Sequence, residues 1–192
     1  PIVETQEENI SAYIPTNLIS ITDGQVYLSP VLYSRGVLPA VDIGRSVSRV
    51  GGSAQLDPYR AVAGDLKLAY SQFEELESFS RFGVRLDEET RRTLARGERV
   101  RELLKQPQYQ PLSVPDQIVA LTAVNSGALD SVPLDRIGEA KRLVRDTARE
   151  EFPELREKLA AGETLSEDEH ERLVDRLHEV VQPTQDNDGD QA

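Results

Sequence analysis

The 192 residues include no cysteine, no methionine, no tryptophan and only two histidines. Without cysteine there is no disulfide scaffold, thiolate zinc site, iron–sulfur cluster or cysteine nucleophile. Two histidines leave few ways to build a transition-metal site. No apolar run approaches the roughly 18 residues that a membrane-crossing helix needs, and the opening residues carry no signal-peptide pattern. Positive charge is also short. Lys and Arg number 22 against 34 Asp and Glu, for a net charge of −12. A passive binder of the phosphate backbone needs a basic face, so nucleic acid is disfavoured as a partner. Position 1 is Pro, not Met, and Pro1-Ile2-Val3-Glu4-Thr5 reads as the inside of a strand. The expectation is a piece of a longer protein.

The length allows one domain or two small ones, at roughly 150 residues per domain, and the chain changes character near residue 55. Residues 1–53 are rich in β-branched residues, Gly and Ser. Pro1–Thr5 is a candidate strand. Leu18-Ile19-Ser20-Ile21-Thr22 is an apolar run broken by the turn pair Asp23-Gly24, and Gln25–Leu28 resumes as a strand. Pro30–Tyr33 reads as one helical turn closed by Gly36, Ala40–Ile43 as a short strand, and Gly44–Ser53 as a loop.

Residues 54–182 read as helix almost throughout. Asp57 reads as the N-cap of the first helix, with Pro58 at the first helical position. Tyr59, Val62, Leu66, Ala69, Phe73, Leu76 and Phe79 recur at helical spacing toward Gly83. Asp87 caps a second helix, with Leu94, Val100, Leu103 and Leu104 inward and Pro107 as its stop. Ser113 and Asp116 form a capping pattern for a helix ending at Gly127. Pro133 opens another, with Leu134, Ile137, Leu143, Val144 and Phe152 inward, and Pro153 divides it from a short segment ending at Gly162. Ser166 and Glu169 make a capping box, with Leu165 as a candidate staple, for a last helix that turns Leu173, Val174, Leu177 and Val180 inward. Residues 183–192 have no apolar periodicity and read as a disordered acidic tail. The fold expected is thus an α/β piece over 1–53 and an all-α bundle over 54–182, mostly helical overall.

Most charged residues fit a solvated face. Arg91, Arg92, Arg96, Arg99 and Arg101 alternate with Glu88, Glu89, Glu98 and Glu102. His170 and His178, eight apart on one helix, read as structural residues rather than metal ligands. Arg35 and Arg45 have no assignment.

One stretch is more specific. Pro39-Ala40-Val41-Asp42-Ile43-Gly44-Arg45-Ser46-Val47-Ser48 resembles the signature of rotary ATP synthase alpha and beta subunits: Pro, a small residue, an aliphatic, Asp or Asn, three variable positions, Ser, one variable, Ser. Pro1–Gln6 (PIVETQ), Ile14–Gln25 (IPTNLISITDGQ) and Glu102–Tyr109 (ELLKQPQY) are similar to the alpha subunit in particular. The likeness is dense over residues 1–110 and weak at the C-terminus. It implies the last part of a RecA-like nucleotide-binding domain followed by the helical C-terminal domain.

The resemblance also implies roles. Arg49 corresponds to the arginine finger that reaches into the beta subunit's catalytic site, and the family reading has Ser46 shape that interface. Ser20 matches a serine near the catalytic phosphate. Both serines also suit plain backbone-bonding roles. Gln106 and Gln108 match a pair beside the adenine of a non-catalytic nucleotide, and amides suit a base edge. Two departures bear on that pocket: Leu38 stands where the family often has Arg, and Leu32 where it often has an aromatic.

ATP or ADP with Mg²⁺ is implied for the full subunit. The family's GxxxxGK[ST] loop, which cradles phosphates and Mg²⁺, does not occur in this sequence. This piece is therefore expected not to bind nucleotide tightly or hydrolyse ATP by itself. Its exposed sheet edge is expected to drive association. Implied partners are beta subunits, the central stalk (gamma) and the delta or peripheral stalk. The implied place is peripheral, on the cytoplasmic face of a bacterial plasma membrane. The other reading is an acidic helical module that serves assembly only. Arg49 separates the two: the finger must be exposed, whereas an assembly module permits it to be buried in a local ion pair.

Overall fold

The computed structural model describes residues 1–5, 9–80 and 87–182. The chain forms two units, Pro1–Gln55 with Lys105–Gln108, and Leu56–Leu104 with Tyr109 onward. The residues expected as a tail, 183–192, lie outside the described residues, as do Gly83 and the side chain of Phe79.

The smaller unit runs α1 (Tyr13–Ile21), β1 (Gly24–Leu28), α2 (Pro30–Ser34) and β2 (Val41–Ser48), then a 3₁₀ turn at Gly51–Ala54. β1 and β2 pair antiparallel and are the only strands among the described residues. Ser29 caps α2 by accepting from the Leu32 N–H at 3.4 Å, and Pro30 fits the first helical position. Gly36 leaves that helix at φ 71°. Leu32 and Ala40 are the buried apolar residues here.

Three expectations fail in this unit. Leu18–Thr22 is not a strand: it lies at the end of α1. A five-residue apolar run does not separate helix from strand. The deciding pattern is longer, for Pro15, Leu18, Ile19 and Thr22 are half-buried at i, i+3, i+4 and i+7. Pro1–Thr5 is not a strand either, because no described strand lies beside it to complete its hydrogen bonds. Gly44–Ser53 is not one loop, since β2 continues to Ser48.

The larger unit is all helix: α3 (Asp57–Ser80), α4 (Glu88–Leu104), α5 (Val114–Asn125), a 3₁₀ turn at Leu134–Arg136, α6 (Ile137–Glu151), α7 (Pro153–Ala161) and α8 (Glu167–Val181). The caps read at Asp87, Ser113, Gly162 and Ser166 are present, whereas Asp57 is the first residue of α3 rather than its cap, and its carboxylate pairs with Arg60 at 3.3 Å. Asp87 Oδ1 accepts from Thr90 N–H at 2.7 Å, Ser113 from Asp116 N–H at 3.4 Å, and Gly162 ends α7 at φ 84°. Ser166 and Glu169 complete their reciprocal box at 3.3 and 3.0 Å. Glu169 also forms an ion pair with Lys158 on α7.

α5 is the centre of the unit. Ile118 to Val124 are buried without a break, the mark of a helix covered on all sides. It packs against α3, α6, α7 and α8. Around it Phe73, Leu103, Ile137, Val144, Leu159, Leu173 and Leu177 are almost fully enclosed.

Several side chains expected inward are exposed: Ala69, Leu104, Leu134 and Leu143. In the middle of α3 Tyr70 and Phe73 are buried, so the face sits one residue on from Ala69. In α6 the buried row is Ile137, Ala140, Val144, Thr147 and Ala148, which leaves Leu143 on its flank. Tyr59, Val62, Leu66, Leu76, Phe152, Val174 and Val180 are half-buried. The arginines of α4 also divide. Arg91 and Arg92 pair with Glu88 at the surface. Arg96, Arg99 and Arg101 turn inward: Arg96 binds the carbonyls of Val124 and Asn125, Arg99 that of Val132, and Arg101 the Glu77 carboxylate at 2.8 and 2.9 Å.

At the start of α5 the Asp116 carboxylate is 4% exposed and bridges two helices, meeting Arg149 of α6 at 2.7 Å and Arg156 of α7. Burial pushes its pKa up, but the bonds from Arg149, Arg156 and Ser113 outweigh burial and hold the carboxyl below its ordinary value. A depressed folded pKa gives stability that is complete above the unfolded value near 3.9 and is lost as pH falls through the folded one. Asp116→Asn should destabilise the chain by about 3 kcal/mol in urea unfolding at pH 7. The gap from wild type should narrow below about pH 4. A gap that stays constant from pH 7 to pH 3 contradicts the ionic account.

A second test concerns α3 on α4. A Cβ placed on Gly97 would lie 2.1 Å from Cγ and 2.5 Å from Cβ of the enclosed Phe73. Gly97→Ala should therefore cost about 1–3 kcal/mol, despite alanine's better helix propensity; a gain in unfolding free energy would refute the packing.

Candidate functional site

The two strands of the smaller unit do not pair in a single register. Gly24 faces Ser48 and Gln25 faces Val47, but Tyr27 faces Asp42 and Leu28 faces Val41. Two steps along β1 thus span five along β2, and the surplus forms a bulge around Ile43–Ser46. Ser46 sits inside it. Its Oγ donates to the Asp42 carbonyl at 2.5 Å and accepts from the Tyr27 N–H at 3.0 Å, replacing a ladder bond that the bulge removes.

Arg49 is the first residue after β2. Its N–H donates to the Asp23 carbonyl at 2.7 Å, which closes the hairpin end. Its guanidinium is exposed and reaches the end of α1, with Nη2 3.0 Å from the Ile19 oxygen and Nη1 3.4 Å from the Ser20 oxygen. These carbonyls belong to the last turn, where a helix has no internal donors left. α1 has no basic residue there, so Arg49 supplies the cation that the negative end of a helix favours. Among the described residues no carboxylate pairs with it.

Arg49 and Ser20 are thereby brought together, through the Ser20 carbonyl rather than its hydroxyl. Ser20 Oγ is exposed and bonds back to Thr16 O at 2.9 Å. Gln106 and Gln108 are both exposed. Gln106 is held by its main chain, which donates to Leu38 O at 3.0 Å. This places Gln106 beside Leu38, one of the two departures. The other departure carries less weight. Leu32 is buried inside the unit, and the exposed ring on α2 is its neighbour Tyr33. The residue type at 32 therefore says little about a surface pocket.

Asp42, Arg45 and Tyr27 had no functional assignment from the sequence, yet all three surround the bulge. The signal that could have found them is Asp42 three residues before Arg45, the spacing of a side-chain-to-backbone turn. Among the described residues no group of three or more His, Asp or Glu side chains could hold a metal ion. His170 is exposed, and His178 lies 3.2 Å from the Ser126 carbonyl. What this site offers chemically is one exposed, permanently charged guanidinium on a braced strand end, with two hydrogen-bonding amides elsewhere in the unit.

Comparison with known proteins places both units. Residues 1–48 match the nucleotide-binding domain of the ATP synthase alpha/beta family, and residues 55–180 match the C-terminal domain of the ATP synthase alpha/beta chain. The chain is 58% identical over 181 residues to the ATP synthase subunit alpha 2 of Syntrophus aciditrophicus, covering 94% of this chain and 35% of that protein. It is 58% identical over 165 residues to the subunit alpha 1 of Rhodopirellula baltica, covering 86% and 33%. With the subunit alpha 1 of Chlorobium luteolum it shares 53% over 182 residues, covering 95% and 36%. The chain spans about a third of the length of the curated relatives it matches.

The bulge bond can be checked directly. Ser46→Ala removes the acceptor of the Tyr27 amide, and hydrogen exchange at Tyr27 should quicken about fivefold to tenfold. An unchanged rate would mean that another group holds that amide.

Proposed function

The chain belongs to the ATP synthase alpha/beta family, as the end of an alpha subunit's nucleotide-binding domain and its C-terminal helical domain, and on that premise we propose that Arg49 acts as an arginine finger. In this reading Arg49 reaches in trans into the nucleotide site of a neighbouring beta subunit of an F-type synthase. Phosphoryl transfer spreads negative charge over the γ-phosphate oxygens, and a guanidinium placed there raises the rate by about 10³–10⁵.

The observation that carries this reading is the way Arg49 is held. It is exposed and, among the described residues, bound only by neutral carbonyl oxygens. A bond from a guanidinium to a phosphate oxygen is roughly twice as strong as one to a neutral acceptor, so a phosphate can draw it away. An arginine committed to a buried carboxylate could not respond in that way. An assembly-only role for the chain is disfavoured on the same ground.

The remaining residues have supporting parts. Ser46 braces the strand that ends at Arg49, and Ser20 belongs to the helix end on which the guanidinium rests. Gln106 and Gln108 offer donors and acceptors to the adenine of a non-catalytic nucleotide. ATP or ADP with Mg²⁺ is held mainly by other parts of the full subunits, since this chain has neither the phosphate loop nor, among its described residues, a carboxylate set for the metal. The nucleotide-domain end is residues 1–53 and the helical domain 54–182. The assembly is a ring with beta subunits around the gamma shaft, linked to a delta or peripheral stalk. It lies on the cytoplasmic face of a bacterial plasma membrane and supports ATP synthesis or hydrolysis coupled to ion transport. The relatives named above are bacterial, and no helix among the described residues is long and apolar enough to cross a membrane.

Arg49→Ala in the assembled complex should leave nucleotide affinity nearly intact and lower steady-state hydrolysis by about 10³-fold or more. Hydrolysis at the wild-type rate would overturn the assignment.

A further inference from the structure

A finger works only if its strand ends in the right place, and the register of β2 decides that. Beyond the bulge only Val47 and Ser48 pair before Arg49 leaves the strand. Side chains alternate faces along a strand, so a slip of one residue would turn Arg49 to the opposite side. Bulges are one means by which proteins re-aim a side chain beside an active site.

Several contacts hold this bulge at its length. Asp42 Oδ1 accepts from the Arg45 N–H at 2.9 Å, closing a turn across Ile43 and Gly44. The Asp42 carbonyl takes the Ser46 hydroxyl, which in turn holds the Tyr27 amide. The Arg45 guanidinium lies over the Tyr27 ring, with Cζ 5.1 Å from its centre and Nη1 3.2 Å from its hydroxyl, while Nε is 3.5 Å from Asp42 Oδ2. Gln25 Nε2 donates to the Arg45 carbonyl at 3.3 Å. Asp42 takes part on both sides of the turn, through its side chain and its carbonyl.

We propose that Asp42 is a positioning residue for Arg49, assisted by Arg45 and Tyr27, and that together they set the bulge that fixes where β2 ends and which way the finger projects. This inference rests on the finger reading of Arg49. It assigns no contact between Asp42 and the nucleotide; Asp42 acts through the strand.

The test uses the assembled complex carrying this chain. Asp42→Ala should lower kcat about 10²-fold, the scale of a misplacement of about 1 Å, with the KM for ATP and nucleotide affinity unchanged. Asp42→Asn keeps the turn acceptor and should stay within about threefold of wild type. On an Arg49→Ala background, Asp42→Ala should add no further loss, because the two act as one unit. If Arg49→Ala itself turns over normally, the finger reading fails and this inference with it. If Arg49→Ala is inactive but Asp42→Ala keeps full kcat, or the double variant is additive, the finger stands and the positioning role is overturned. Should Asp42→Ala fail to assemble, Arg45→Met replaces it. That change spares every main-chain bond of the bulge and removes the cation from Tyr27, so kcat should fall about fivefold. Unchanged kcat in Arg45→Met would then overturn the inference.

Discussion

α5 is buried along its middle, from Ile118 to Val124, and side chains of the larger unit bond the groups at its two ends. At the N-terminal end Ser113 caps the Asp116 amide, and the Asp116 carboxylate draws in Arg149 and Arg156. At the C-terminal end Arg96 of α4 takes the carbonyls of Val124 and Asn125, and His178 of α8 meets that of Ser126. The Asn125 amide then holds the Val62 carbonyl of α3 at 2.8 Å. Satisfying one buried helix thus ties α3, α4, α6, α7 and α8 to it by directional bonds, and the apolar side chains fill the space between.

The smaller unit is stabilised differently. Two strands alone are marginal in water, and among its described residues only Leu32 and Ala40 are buried apolar side chains. Its order comes from polar side chains bonded to main chain: Ser29 on α2, Asp42 and Ser46 in the bulge, Arg49 on α1. The residues that give the unit its shape are the same ones that bear on its chemistry. A family signature that accepts Asp or Asn at the position of Asp42 makes physical sense on this basis, because the turn needs a side-chain carbonyl oxygen and either residue has one.

How much was legible in the sequence depended on how local the cause was. The capping box at Ser166, the Asp87 cap and the stops at Gly36 and Gly162 were readable, because each is set within a few residues. The α1 helix was not, since five apolar residues fit helix or strand and the burial pattern that decides extends back to Pro15. The bulge was also hidden, because it exists only in the pairing of β1 with β2. Arg96, Arg99 and Arg101 looked like a solvated face because periodicity locates a Cβ, whereas a long side chain can carry its guanidinium to a neighbouring helix. At the site, motif likeness singled out Arg49, Ser46, Ser20 and the two glutamines. It could not show that Arg49 rests on a helix end, nor that Leu32 points inward while Tyr33 faces out.

Glu169 shows what a shared ligand does to the behaviour of a joint. One carboxylate oxygen accepts from the Ser166 amide and so begins α8; the other is paired with Lys158 and so anchors α7. One side chain thus serves both the start of α8 and one of the contacts that hold α7, so replacing Glu169 would remove a helix cap and an interhelical ion pair at once.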